Sequence, residues 1–206
     1  MPRTVHVAVY DTLADWEVGH ATAHIANPAW QRDPGAYEIV TVGETGAPVR
    51  TMGGMRITPD MALADLDPAE SAMLVLPGAE TWLHGGNAAF AAAAGEVLAA
   101  GGAVAAICGA TVGLAAAGLL DDRWHTSNAP EALAATGYAG GHRYRHEPAV
   151  TDGRLITASG VEPVAFAREV LALLEVYDPP VLDAWYRLYG DHDPAGYHDL
   201  VAATRA

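Results

Sequence analysis

Short apolar runs, each stopping at a turn and each followed by a helix-forming stretch, govern what this chain can become. Residues 5–10, 37–42, 73–76 and 104–107 read as buried strands. Helices are expected at about 16–26, 87–100, 111–117, 130–135, 163–176 and 181–189. Strands that alternate with helices predict a mostly parallel sheet covered on both faces, an α/β sandwich of three layers. Short strands are also expected at 124–127, 143–150 and 155–157, the last two bracketing the Asp152-Gly153 turn. Residues 48–59, around Gly53-Gly54, predict a hairpin at a sheet edge. Ligands of open α/β sheets bind beyond the carboxyl ends of the strands. The turns at 11–17, 77–82, 108–111 and 127–128 all fall at that edge.

The chain of 206 residues predicts a single domain over 1–206, with 177–206 as a C-terminal helical extension. A formal net charge of −14, from 11 basic and 25 acidic residues, disfavours nucleic acid and anionic membrane surfaces as partners. No stretch is apolar enough for long enough to span a bilayer, and the N-terminus enters a core strand directly. A lone cysteine makes no intrachain disulfide, so a cytoplasmic location is expected.

That cysteine, Cys108, ends the apolar run 103–107 and is followed by Gly109 and a helix. The layout is that of a nucleophile elbow, a sharp strand-to-helix turn that pushes one side chain into a cleft where helix N–H groups point at it. The helix dipole is expected to give the thiol thiolate character. The plainer alternative is a small buried apolar side chain; Gly109 and the helix start favour the elbow.

Four stretches in order carry a family resemblance: Asp15-Trp16-Glu17, Leu76-Pro77-Gly78, residues 106–111 around Cys108, and residues 156–160 ending in Ser159-Gly160. With them the chain, over roughly residues 4–176, resembles the ThiJ/PfpI superfamily. That resemblance implies a flavodoxin-like, class I glutamine amidotransferase-like fold. It implies Cys108 as the reactive cysteine and Glu17 as the carboxylate that hydrogen-bonds it and relays protons. It implies the backbone N–H groups of Gly109 and Ala79 as an oxyanion hole, although relatives often have glycine where Ala79 stands. Many relatives have a histidine directly after the nucleophile, where this chain has Gly109. Others have one where Asn128 stands, and His125, three positions away, would face away from Asn128 on a strand. A complete Cys-His-acid triad is therefore not visible, and no late His-x-Glu pair points to glutaminase chemistry.

Asp15, Gly78, Trp82, Asn128 and His20 are further candidates for the pocket. Each has an ordinary alternative: Asp15 as an N-cap, Trp82 as a packing aromatic, His20 as a helix-surface histidine. The clusters His142, His146, Glu147 and His192, Asp193, His198 lack a zinc spacing, so no metal is expected. No P-loop or dinucleotide pattern occurs, so no cofactor is expected.

The leading expectation is a cofactor-independent cysteine enzyme, a hydrolase or lyase acting on a small electrophile. Glyoxalase- or deglycase-like, isocyanide-hydratase-like and amidase-like reactions all stay open. Protease activity in relatives usually accompanies the missing histidine. The alternatives are a redox or stress-response sensor working through oxidation of Cys108, and a non-catalytic binding module. The resemblance also implies a homodimer.

Overall fold

The computed structural model describes residues 1–203. Positions 204–206 of the expected C-terminal extension lie outside the described residues. The strands are β1 (Arg3–Ala8), β2 (Tyr37–Gly43), β3 (Val49–Arg50), β4 (Arg56–Ile57), β5 (Met61–Ala62), β6 (Ser71–Leu76), β7 (Ala103–Ile107), β8 (Ala149–Asp152) and β9 (Leu155–Ala158). The helices are α1 (Gly19–Ala26), α2 (Ala88–Ala99), α3 (Gly109–Ala116), α4 (Pro130–Ala134), α5 (Pro163–Leu173), α6 (Pro179–Tyr189) and α7 (Ala195–Ala203). Seven strands form one sheet in the order β5-β2-β1-β6-β7-β9-β8. All neighbours in it are parallel except β8, which runs antiparallel to β9.

The two faces follow from the period of two along each strand. In β7, Ala103, Ala105 and Ile107 join the core under α1, α5 and α6. Val104 and Ala106 join the opposite core under α2 and α3. All five are buried, as a central strand covered on both sides requires. Alanine in β7, α2 and α3 keeps these layers thin. The chain thus has the three-layer, flavodoxin-like α/β architecture expected of it.

Three local expectations change. Residues 48–59 do form a hairpin, β3–β4, but it pairs only with itself. It docks on the loop after β1, where Arg50 O accepts from Thr12 N at 2.8 Å and Leu13 O accepts from Met52 N at 2.9 Å. The edge of the sheet is taken by the two-residue β5. Residues 124–127 form no strand; one bridge, His125 to Tyr144, is all that pairs there. Residues 143–148 likewise stay outside β8, following a 3-10 turn at Gly140–Arg143.

Candidate active site

Cys108 sits between β7 and α3 at φ 59 and ψ −126. A side chain in this region strains the backbone, at a cost of order 1–3 kcal/mol. The contacts on each side hold it there: Cys108 N donates to Ala158 O at 3.0 Å, and its carbonyl accepts from Thr111 N and Thr111 Oγ1. Gly109 follows because α3 must approach the loop after β6. A Cβ at Gly109 would lie 3.0 Å from Ala79 O and 3.6 Å from Ala79 N. Ala79 itself is extended, at φ −156, a conformation open to any residue, so glycine is not needed there.

Glu17 reaches the sulfur from the other side. The helix expected from Trp16 begins only at Gly19, and Glu17 lies in the turn before it. The loop after β1 is laced to the loop after β6: Ala14 N donates to Gly78 O at 2.9 Å, Glu80 N to Thr12 Oγ1 at 3.0 Å, and Leu13 bridges Ala79. This lacing drives the Glu17 carboxyl into the interior, fully buried. Its Oε2 accepts from Gly78 N at 2.5 Å, and its Oε1 has no hydrogen-bond partner among the described residues.

Two glycines make room for the pair. A Cβ at Gly160 would stand 2.7 Å from Cys108 Sγ and 3.0 Å from Glu17 Oε1. One at Gly78 would stand 3.0 Å from Sγ and 2.8 Å from Glu17 Oε2. Burial raises the Glu17 carboxyl to about 7, with the Gly78 N–H and the neighbouring thiol pulling it back. The thiol does not have the lowered pKa expected of it. Burial pushes it up, the Asn128 and Gly109 N–H groups pull it down, and the Glu17 charge pushes it up again, leaving it above its ordinary value. At neutral pH the proton therefore stays with the sulfur until a base takes it.

Asn128 completes the cluster. Its Nδ2 donates to Cys108 Sγ at 3.1 Å, while its Oδ1 accepts from Gly160 N at 2.7 Å. Two hollows open on the sulfur. One, of about 150 Å³, is bounded by Ala14, Leu83, Val112 and Ala132 beside the chemistry-bearing residues. The other, of about 660 Å³, runs outward past Trp16, Ser159 and Val161. Trp16 donates to Gly160 O at 3.0 Å and is half exposed.

The remaining candidates stand elsewhere. Trp82 is buried, its indole N–H shared between Tyr10 Oη and Pro77 O, because the missing side chain at Gly113 lets α3 close on its ring. It packs the fold and lines neither hollow at the sulfur. His20 turns toward α6, edge-on to Trp185 and Tyr189. Asp15 Oδ2 accepts from Gly53 N at 2.6 Å and so ties the β3–β4 hairpin down. His125 faces away from the sulfur, bonded to Arg123 O and Tyr138 Oη. No histidine touches the thiol. Gly160, Trp16, Leu83 and Val112 were not foreseen as site residues. Gly160 and Trp16 carried a signal, since both stand in the stretches quoted for the resemblance; Leu83 and Val112 carried none.

Among the described residues no group of three or more His, Cys, Asp or Glu side chains is placed to hold a metal ion. No helix among them is long and apolar enough to cross a membrane.

Comparison with known proteins places the chain in a family. A protein of Bacillus subtilis named uncharacterized protease YoaZ is 36% identical over 202 residues, covering 97% of this chain and 96% of its own. A second from the same organism, uncharacterized protease YdeA, is 28% identical over 180 residues, covering 84% of this chain and 83% of its own. The crystal structure of a ThiJ/PfpI family protein from Bacillus anthracis superposes with a TM-score of 0.91 at 36% identity, over 98% of this chain and 97% of the other. A DJ-1 superfamily protein from Agrobacterium tumefaciens, Atu0886, gives 0.82 at 34% identity, over 93% and 100%. The model of the DJ-1/PfpI family matches residues 3–173, the span that holds every strand and every group at the sulfur. The chain belongs to the DJ-1/PfpI family.

Proposed function

We propose that the protein is a cysteine enzyme that needs no cofactor and acts on a small carbonyl-type or nitrile-like electrophile at Cys108. The observation that carries this reading is the pairing of a strained, partly exposed thiol with a fully buried carboxyl poised near neutrality. A general base works best when its pKa is close to the working pH. In its anionic form Glu17 takes the thiol proton as Sγ attacks the electrophilic carbon. The electron pair of the carbonyl moves to oxygen, and the N–H groups of Gly109 and Ala79 receive the charge. Asn128 Nδ2 steadies the sulfur while it is anionic. The protonated Glu17 then returns the proton to the oxygen or to a leaving group, and a solvent water, giving a proton to Glu17, adds to the same carbon as the C–S bond breaks and the sulfur leaves to be reprotonated.

The names of the Bacillus relatives suggest peptide cleavage. Here the side chains at the sulfur are Glu17 and Asn128, and the inner hollow of about 150 Å³ is narrow for a peptide. A small aldehyde, 2-oxoaldehyde, amide or isocyanide fits it better. The test is a panel of these four classes with the wild type and Cys108→Ser. At least one class is expected to turn over, with a loss of about a thousandfold or more in the serine variant. Undiminished turnover in Cys108→Ser rejects the reading.

A second reading rests on the unpartnered Glu17 Oε1. Protonated, it would donate to a sulfinate formed on Cys108, which is what an oxidation sensor needs. Mass spectrometry after mild peroxide decides it, by a gain of two oxygens at Cys108 without catalysis in the panel.

A further inference from the structure

We propose that the electrophile handled at Cys108 carries an apolar tail, an alkyl chain of several carbons, which lies along α3 in a groove beside the inner hollow. The inference rests on the reading of Cys108 as the reactive group. Leu83 and Val112 on the wall of the inner hollow also bound a second cavity of about 320 Å³, which lies between α2 and α3, so the two cavities are neighbours separated by these side chains. Ala88 and Ala91 of α2 form one wall, Ala116 and Ala117 at the end of α3 the other, and no charged side chain lines it.

The groove exists because of side-chain size. Gly113 has no Cβ, so α3 rests directly on the Trp82 ring, which a Cβ would approach to 2.1 Å. The alanines beyond it, Ala88, Ala91, Ala116 and Ala117, line the cavity between the helices with methyl groups alone. Gly109, Val112, Gly113, Ala116 and Ala117 follow the spacing of one helix face. From Gly109 to Ala117 is eight residues, about 12 Å at about 1.5 Å per residue, the length of an extended chain of roughly ten carbons. Leu83 is 62% exposed at the junction of the two cavities and would be covered by such a chain. The reacting head of the ligand is placed by Cys108 and Glu17, which both line the inner hollow.

Cys108 is the only cysteine, so its alkylation reads the groove without knowledge of the substrate. The probes are N-alkyl iodoacetamides from methyl to octyl, with the full-length protein; sulfur bonds to the methylene carbon as iodide leaves. Each rate constant is divided by that of the same reagent with free 2-mercaptoethanol. The ratio is expected to climb about two- to fourfold per added methylene until the groove is full. Ala116→Phe and, from the opposite wall, Ala88→Phe are both at exposed positions and are expected to bring the octyl-to-methyl ratio down to that of the free thiol. Thermal melting verifies that each variant is folded. A flat profile in the wild type with normal reaction of the methyl reagent overturns the tail groove but leaves the nucleophile standing. Failure of every reagent to react overturns both. A slope that survives both phenylalanine variants overturns the location. A flat profile joined to a change in sedimentation of the variants assigns the groove to a subunit contact and likewise overturns the proposal.

Discussion

Asn128 holds the Cys108 sulfur by a 3.1 Å N–H bond and, through the same amide group, holds the Gly160 backbone that walls the sulfur in. One side chain thus sets both the ionisation of the thiol and the shape of its surroundings. A hydrogen bond to a charged group contributes about 1.5–3 kcal/mol. Asn128→Ala removes it, so the thiol pKa is expected to rise further and alkylation at pH 7 to slow by about tenfold or more. Asn128→His, which places a base beside the sulfur, is expected to shift the pH–rate profile toward lower pH. An identical profile in all three proteins would show that Asn128 does not influence the sulfur.

Cys108→Gly separates catalysis from stability. The residue occupies φ 59, which costs a side chain free energy that glycine does not incur. Cys108→Gly is expected to melt higher than Cys108→Ala by the equivalent of about 1–2 kcal/mol, with turnover absent in both. Equal melting temperatures would mean that the elbow is unstrained.

The layers and the sheet edge that carries the site were legible in the sequence, because strand burial writes itself as an apolar run and each run stops at its turn. Cys108-Gly109 and Pro77-Gly78 marked two of those turns, and Glu17 was implied by the family resemblance of Asp15-Trp16-Glu17. Trp82 was not legible. An aromatic after a turn can wall a pocket or pack beneath it, and what decides is Gly113, which lets α3 close over the ring from 31 positions away. His20 was undecided for the same kind of reason, since α6, which it faces, packs on α1 only in three dimensions. The thiol pKa was read from the helix N-terminus alone. The sequence does not show that Glu17 is driven to full burial by the lacing of two loops, and that burial outweighs the dipole.

Glu17→Gln tests the buried carboxyl through turnover. The variant keeps the shape and the acceptor for Gly78 N but removes the base. Turnover is expected to fall by about a hundredfold or more. Alkylation of Cys108, which needs only the thiolate, is expected to be retained or faster, since a like charge beside the sulfur is gone. A parallel loss of both would make Glu17 a structural support.

The same substitution exposes a compensation in acid stability. Glu17 is raised from 4.5 to about 7 in the folded protein, so its contribution is fully present below pH 4.5 and is lost as pH rises to about 7. His24 is lowered from 6.5 to about 4, first by burial and then by neighbouring His20, so its contribution is present above pH 6.5 and is lost as pH falls toward 4. The neutral ring is also held in place: His24 Nε2 accepts from the Trp185 indole N–H at 3.0 Å, and Nδ1 lies 2.7 Å from Tyr177 Oη. A second ring proton breaks the bond to Trp185, one of the contacts between α1 and α6. Each shift amounts to at most about 3 kcal/mol, and between pH 6.5 and 4.5 the two slopes have opposite sign. Asp15 and Asp60, held below the usual carboxylate range by hydrogen bonds, add their loss only at lower pH. His6, His20 and His125, also lowered chiefly by burial, add to the loss on acidification, so the wild-type melting temperature is expected to fall between pH 6.5 and 4.5, but less steeply than it would without Glu17. Glu17→Gln is expected to be more stable than the wild type by up to about 3 kcal/mol at pH 8 and to lose that margin steadily on acidification, as His24 acts unopposed. His24→Gln is expected to do the reverse, gaining stability relative to the wild type as the pH falls. Thermal melts of the three proteins at pH 8, 6.5, 5.5 and 4.5, followed by tryptophan fluorescence, measure this directly, and parallel curves would contradict it.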